Sequence, residues 1–270
     1  MRIGVVVQLE HNLDEKFAEL REMGMESCQL VCWNRAKLTK ETADYVNTAA
    51  GKHKVDITAF WCGWPGPVTW DFYDGQLNLG LVPAAYRNER LNTLIQGSEF
   101  AKYLKVRDLI THVGFLPENP YDENYRGVIV ALKKLVQVCR DNGQRFLFET
   151  GQETPVTLRR AIQDIGMDNV GINLDPANLI IYGKANPVDA LDIFGGYVMG
   201  IHGKDAVYPA DGIHLGAEKP LGEGRVNYPL LIQKLKEIGY DGDITIEREI
   251  EGEKQKKDIL LAKALLESLM

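Results

Sequence analysis

Eight short runs rich in Val, Ile, Leu and Phe recur along the 270-residue chain, each followed by a longer stretch whose apolar residues repeat at helical spacing. The runs cover residues 3–7, 27–32, 56–61, 109–113, 146–149, 170–174, 198–202 and 244–247; the helical stretches cover 13–23, 40–53, 88–104, 125–142, 157–165, 187–193, 228–238 and a last one ending at 270. Several of these stretches stop on glycine, at Gly24, Gly143, Gly166 and Gly239, where the left-handed turn that closes a helix costs least. Eight strand–helix units in a chain of this length predict one α/β domain over residues 1–270, a single (β/α)8 TIM barrel. The competing open, doubly wound sheet would want a Gly-x-Gly-x-x-Gly turn after its first strand, where Gln8-Leu9-Glu10 stands instead. No Pro/Gly/Ser-rich linker divides the chain.

In such a barrel the C-terminal ends of the strands share one mouth, and the chemistry sits there. RFLFETG ends on Glu149, GINLD on Asp175, VMGIH on His202 and DITIE on Glu247. Singly, each has a plain reading: a rim glutamate is solvated or caps a helix, a lone histidine packs, and Asp175 opens a turn in which Pro176 directs the chain away. Together, three carboxylates and one imidazole on one rim would repel or take up protons unless a cation sat among them. A shared divalent metal resolves the conflict. Oxygen-rich ligands with one imidazole suit Mn²⁺ or Mg²⁺ first, and Co²⁺ or Zn²⁺ next.

Composition excludes several partners. A formal charge of −7 and a pI near 5.4 argue against nucleic acid and against an anionic membrane surface. The opening MRIGVVVQLEHN reads as a first strand rather than a leader, and no apolar run approaches bilayer length, so a cytoplasmic protein is expected. Cys28, Cys32, Cys62 and Cys139 are too scattered for a disulfide framework and form no Cys-x-x-Cys pair; packed thiols are expected. His11 and His53 read as exposed or capping residues.

The ordered set FLFETG, NLDPANL, GIHGKD and ITIERE resembles the sugar isomerase/epimerase group of the xylose isomerase-like barrel superfamily, and the resemblance covers essentially the whole chain. It implies one catalytic divalent ion held by Glu149, Asp175, His202 and Glu247, with Glu149 and Glu247 also acting as acid and base, and a small sugar or keto-sugar as substrate. The chemistry is coherent: a proton next to a carbonyl is too weakly acidic for an unaided carboxylate, so a cation must stabilise the enediolate while one glutamate takes a proton and the other returns one. With both faces served a stereocentre inverts; with one base, an aldose and a ketose interconvert.

Further candidates line the same mouth. His112, in LITHVG, ends the fourth strand and is a candidate substrate or ligand contact. Lys204, in HGKD, could bind a sugar, neutralise the carboxylates or form a rim salt bridge with Asp205 as its neighbour. Trp61 opens WCGWPGPVTWDFYDG, a loop long enough to be an aromatic lid or to pack on a second subunit of a homo-oligomer. In AVYPADGIHLGAEKPLGEGRVNY, which also holds His214 and Glu223, Arg225 is a candidate clamp for an anionic group or a loop anchor. Where many relatives carry a histidine three residues after the strand-six aspartate, this chain has Asn178, which cannot carry a proton at neutral pH but can still bind substrate.

That departure and the acidic charge speak against an endonuclease IV-like nuclease. Besides the isomerase/epimerase reading, the same metal site could serve a keto-sugar or keto-inositol lyase or dehydratase, including 3-keto-glycoside cleavage, or a non-catalytic sugar-binding barrel. No glycine-rich phosphate cradle is present, which favours an unphosphorylated sugar.

Overall fold

Strand pairing closes on itself in the computed structural model, which describes residues 1–270. The strands are β1 (Arg2–Gln8), β2 (Ser27–Cys32), β3 (Asp56–Cys62), β4 (Asp108–Thr111), β5 (Arg145–Glu149), β6 (Val170–Leu174), β7 (Val198–Gly203), the short pair β8 (Asp205–Val207) and β9 (Ala217–Lys219), and β10 (Asp243–Ile246). The barrel runs β1-β10-β7-β6-β5-β4-β3-β2 with every neighbour parallel, while β8 and β9 form a separate antiparallel ribbon. This is the expected (β/α)8 barrel, and each barrel strand lies within two residues of its sequence-based position.

The helices are α1 (Leu13–Glu22), α2 (Lys40–His53), α3 (Gly75–Asn78), α4 (Ala84–Tyr103), α5 (Glu123–Asp141), α6 (Pro155–Ile165), α7 (Pro176–Ile181), α8 (Pro187–Phe194), α9 (Tyr228–Glu237) and α10 (Glu253–Leu269). Three differences from expectation have local causes. Helix α4 starts at Ala84, four residues before the predicted 88, because Ala84, Ala85, Tyr86 and Arg87 bury no apolar side chain and so add nothing to the apolar period. Pro155 opens α6, where a missing N–H costs nothing. Pro176 does not simply turn the chain away; it is the first residue of α7, whose six residues are all buried and so show no amphipathic stripe.

The period-two alternation of the strands positions the site. Residues such as Leu30, Phe60, Phe148 and Ile246 face the helices, whereas Val31, Ala59, Trp61, Ile110 and Leu147 point inward and plug the barrel together with Trp64 and Leu79. One period beyond an inward residue comes the mouth: Leu147 precedes Glu149 and Ile110 precedes His112. All four cysteines are free and buried, as packed thiols should be. No helix is long and apolar enough to cross a membrane.

Candidate metal centre and active site

Glu149 ends β5, Asp175 follows β6, His202 lies in β7 and Glu247 follows β10. Their ligand atoms all lie within 4.8 Å of one another. His202 Nδ1 is 3.1 Å from Glu149 Oε1, 3.3 Å from Glu247 Oε2 and 3.5 Å from Asp175 Oδ2. Asp175 divides its two oxygens between fold and site. Oδ1 accepts the Asn178 N–H at 2.8 Å and caps α7, so the turn-forming reading of this residue also holds, while the buried Oδ2 has no hydrogen-bond partner.

His202 is divided in the same way. Its Nε2 lies 2.9 and 3.2 Å from the carboxamide of Gln29 on β2, and its buried Nδ1 has no hydrogen-bond partner. With the Gln29 oxygen accepting Nε2–H, the Nδ1 lone pair faces the carboxylates. Partnerless buried polar atoms are costly and uncommon. Two of them turned toward one point between two further carboxylates fit a divalent cation, with three oxygen donors and one nitrogen.

The electrostatics ask for positive charge at the same point. Burial alone would lower the His202 pKa, but Glu247 and Glu149 outweigh it and hold the imidazole proton well above the ordinary range. A metal would displace that proton. Burial would raise Glu247, yet Lys204 and His202 pull it below the usual carboxylate range; for Glu149, His112 and His202 together outweigh burial in the same direction.

Lys204 is buried, with Nζ 3.0 Å from Glu247 Oε2, 3.0 Å from Glu249 Oε1 and 3.6 Å from Asp175 Oδ2. Of the readings open for it, the structure places it against the carboxylate cluster. Its Nζ also donates to Asn178 Oδ1 at 3.4 Å, and Asn178 Nδ2 donates to Glu149 Oε1 at 3.4 Å. A carboxamide can do both at once, so Asn178 links the surroundings of the two glutamates. Trp61 donates its indole N–H to Glu149 Oε2, and His112 Nε2 lies 3.4 Å from the same oxygen.

Arg225 stands apart: it is exposed and does not line the cavity at the mouth. Asp205 explains this. Its carboxylate gathers the N–H groups of Ala206, Gly222, Gly224 and Val226 at 2.8 to 3.0 Å, which fixes the loop and leaves Arg225 outside.

The aromatic loop after β3 is held as a built wall. Arg90 on α4, 0% exposed, donates to the carbonyls of Pro65 (3.0 Å) and Pro67 (2.9 Å) on one stem, and to those of Asn78 (2.5 Å) and Gly80 (2.8 Å) on the other. Its guanidinium also lies 4.6 Å from the Tyr86 ring centroid and 5.6 Å from that of Trp64. Burial lowers its pKa to about 10, so it remains cationic at neutral pH. Gly80 has φ +66°, and a Cβ there would strike the Val113 carbonyl. The wall presents Trp64 and Trp70 to Trp33, with centroids 5.3 and 6.4 Å apart, and Trp70 to His112 at 5.4 Å. Lysine cannot match a four-carbonyl fork. Arg90→Lys is therefore expected to lose about 2–3 kcal/mol of stability and to speed amide exchange across residues 66–79, with divalent-metal affinity unchanged; unchanged exchange would contradict this clasp.

Glu153 lies in the connection between β5 and α6, buried, with Oε1 unpartnered. Burial pushes its carboxyl up to about 8. Because the folded state keeps a proton that the unfolded chain releases near the ordinary value, this stability is present below that value and drains away as pH rises towards 8. Across that window the loss should be roughly 3–5 kcal/mol. Glu153→Gln should flatten the slope and be the more stable protein at pH 8.5, as urea midpoints at pH 5 and 8.5 would report.

Gln29, Trp33, Arg90, Glu153 and Tyr182, which lines the mouth, escaped the sequence reading. For Gln29 there was a signal, a lone amide in the apolar strand SCQLVC.

The family model described as "Xylose isomerase-like TIM barrel" matches residues 17–269. The crystal structure of a xylose isomerase domain protein from Planctomyces limnophilus superposes with a TM-score of 0.93 at 31% identity, covering 99% of this chain and 96% of that one. A D-tagatose 3-epimerase-like protein matches at TM-score 0.75 and 24% identity over 100% and 97% of the two chains, which shows the shared fold. An uncharacterized protein from Methanocaldococcus jannaschii is 26% identical over 274 residues, 96% of this chain and 88% of that one.

Proposed function

The chain belongs to the xylose isomerase-like TIM barrel family, and from that premise we propose that it is a divalent-metal-dependent isomerase or epimerase of an unphosphorylated sugar or sugar derivative. The observation that carries this reading is the set of Glu149, Asp175, His202 and Glu247 donors within 4.8 Å of one another, two of them buried without a hydrogen-bond partner. The four residues would hold Mn²⁺ or Mg²⁺. Bound there, the cation supplies positive charge to substrate oxygens as electrons move onto them.

The chain's own residues do the rest. One glutamate takes the proton from the carbon next to the carbonyl as the C–H bond breaks, and the other returns a proton to the opposite face or, for an aldose–ketose exchange, to the neighbouring carbon. Glu149 takes the N–H donors of Trp61 and Asn178 with His112 and His202 beside it, and Glu247 takes the cation of Lys204. The two carboxylates therefore sit in different surroundings, which suits opposite proton-transfer roles. Asn178 and Lys204 keep them in register, while Trp33, Trp61 and Trp70 line the mouth. The test is incorporation of solvent deuterium next to the carbonyl of a ketose when Mn²⁺ is supplied; no incorporation across a broad panel of sugars and glycosides would sink the proposal.

A further inference from the structure

The β8–β9 ribbon takes no part in closing the barrel, yet it grows directly out of the metal centre. Strand β7 and its end deliver His202 and then Lys204, and β8 starts at the next residue, Asp205. β9 runs back antiparallel beside it, with Glu218 opposite Ala206. The segment that carries Glu247 is the reverse case. β10 ends at Ile246 and α10 begins at Glu253, so residues 247–252 belong to neither strand nor helix. The Glu247 N–H still donates to the Gly203 carbonyl at 3.2 Å, but beyond it the backbone needs partners from outside the barrel ladder.

Glu218 supplies one. Both of its oxygens accept the Glu249 N–H, at 3.1 and 3.2 Å, and Oε2 lies 2.7 Å from Arg248 Nη1. Arg248 Nε reaches Asp258 of α10 at 2.9 Å, and the Arg248 carbonyl accepts Gln255 Nε2 at 2.8 Å. The side chains of Glu218, Arg248 and Asp258 are only 12%, 9% and 8% exposed, so these charges meet at a lower effective dielectric than a surface pair. Glu249 in turn reaches Lys204 at 3.0 Å, and Lys204 lies 3.0 Å from Glu247 Oε2. Glu218 therefore bears on Glu247 by two routes, through the backbone of residues 248–249 and through the series Glu249, Lys204, Glu247.

We propose that the ribbon is a brace for the metal centre, in which Glu218 and Arg248 are positioning residues that hold the Glu247 carboxylate turned toward the other three ligands. This rests on the proposed metal-dependent reading of the site and deepens it. Glu218 touches neither the metal ligands nor the cavity at the mouth, so it acts only through the residues that follow Glu247. Partners that orient a metal ligand from behind typically matter about 10- to 100-fold in metal affinity.

The test titrates the full chain with Mn²⁺ and reads the unbound ion by EPR. Glu218→Leu is expected to weaken Mn²⁺ binding about 10- to 100-fold, and Glu218→Gln to recover most of that loss, because its carboxamide oxygen still accepts the Glu249 N–H. Arg248→Lys keeps the charge but cannot span both carboxylates, so binding should weaken at least about threefold; it decides the matter should Glu218→Leu not fold. Arg145→Met, which breaks the pair to Asp108 at the far end of β5, is the control for lost stability alone and should melt lower with its Mn²⁺ affinity unchanged. Binding within about twofold of the unaltered protein in Glu218→Leu, or in Arg248→Lys where that decides, overturns the brace. If the unaltered protein binds no Mn²⁺, the metal reading fails instead, and amide exchange decides the brace: residues 247–252 must exchange at least about tenfold faster in the deciding variant, whereas equal rates overturn it.

Discussion

Glu149→Gln and Glu247→Gln are each expected to lower interconversion of two epimers by roughly 10³-fold, while leaving solvent exchange in the one epimer whose C–H bond faces the surviving glutamate. The reason is the division of labour in the site. Glu149 ends β5 and takes neutral N–H donors from Trp61 and Asn178; Glu247 follows β10 and carries the Lys204 cation at 3.0 Å. Glutamine keeps the shape of either residue but cannot carry the proton, so each variant keeps one half of a two-base reaction. Measuring exchange separately in each epimer distinguishes this from simple loss of metal, which would remove both halves. Interconversion within tenfold of the unaltered protein in either variant would refute the assignment.

The second large effect falls on Lys204. Replacing it by methionine keeps most of the volume but leaves Glu247, Glu249 and Asp175 without their shared cation, and breaking a buried ion pair from one side costs about 3–5 kcal/mol. At the metal-free centre Lys204→Met should therefore melt roughly 10 °C lower. Added Mn²⁺ should recover more of that loss in the variant than it adds to the unaltered protein, because the divalent charge takes over part of the lysine's role. Melting in EDTA and in excess Mn²⁺ measures both. A variant that melts with the unaltered protein in EDTA would show that the 3.0 Å contacts carry little energy.

The sequence made the barrel and the convergence of four ligand-type residues legible for one physical reason. Alternation along a parallel strand fixes which side chain reaches the mouth, so FLFE, INLD, GIH and ITIE each disclosed a strand end before any tertiary contact was known. What stayed hidden depends on partners distant in sequence. Arg90 reads as an ordinary helix charge because nothing in α4 reveals the four carbonyls of residues 65–80 that surround it. Asn178 could be noticed as a departure from a family pattern, but its bridging role needs Lys204, 26 residues away, to arrive at 3.4 Å. The ribbon of β8 and β9 was missed because its strands are three residues each, too short to show a period. Arg225 drew attention as a candidate clamp for an anionic group or a loop anchor, yet the Asp205 carboxylate organises that loop from within.

The claim that everything else depends on is that Glu149, Asp175, His202 and Glu247 share one cation. Crystals grown with Mn²⁺ test it directly through anomalous scattering. One peak is expected among Glu149, Asp175 Oδ2, His202 Nδ1 and Glu247, about 2.0–2.3 Å from each donor, with Gln29 still against His202 Nε2. A centre without a peak at saturating Mn²⁺, or a peak that leaves out Asp175 Oδ2 and His202 Nδ1, would contradict the metal site and the reaction built on it.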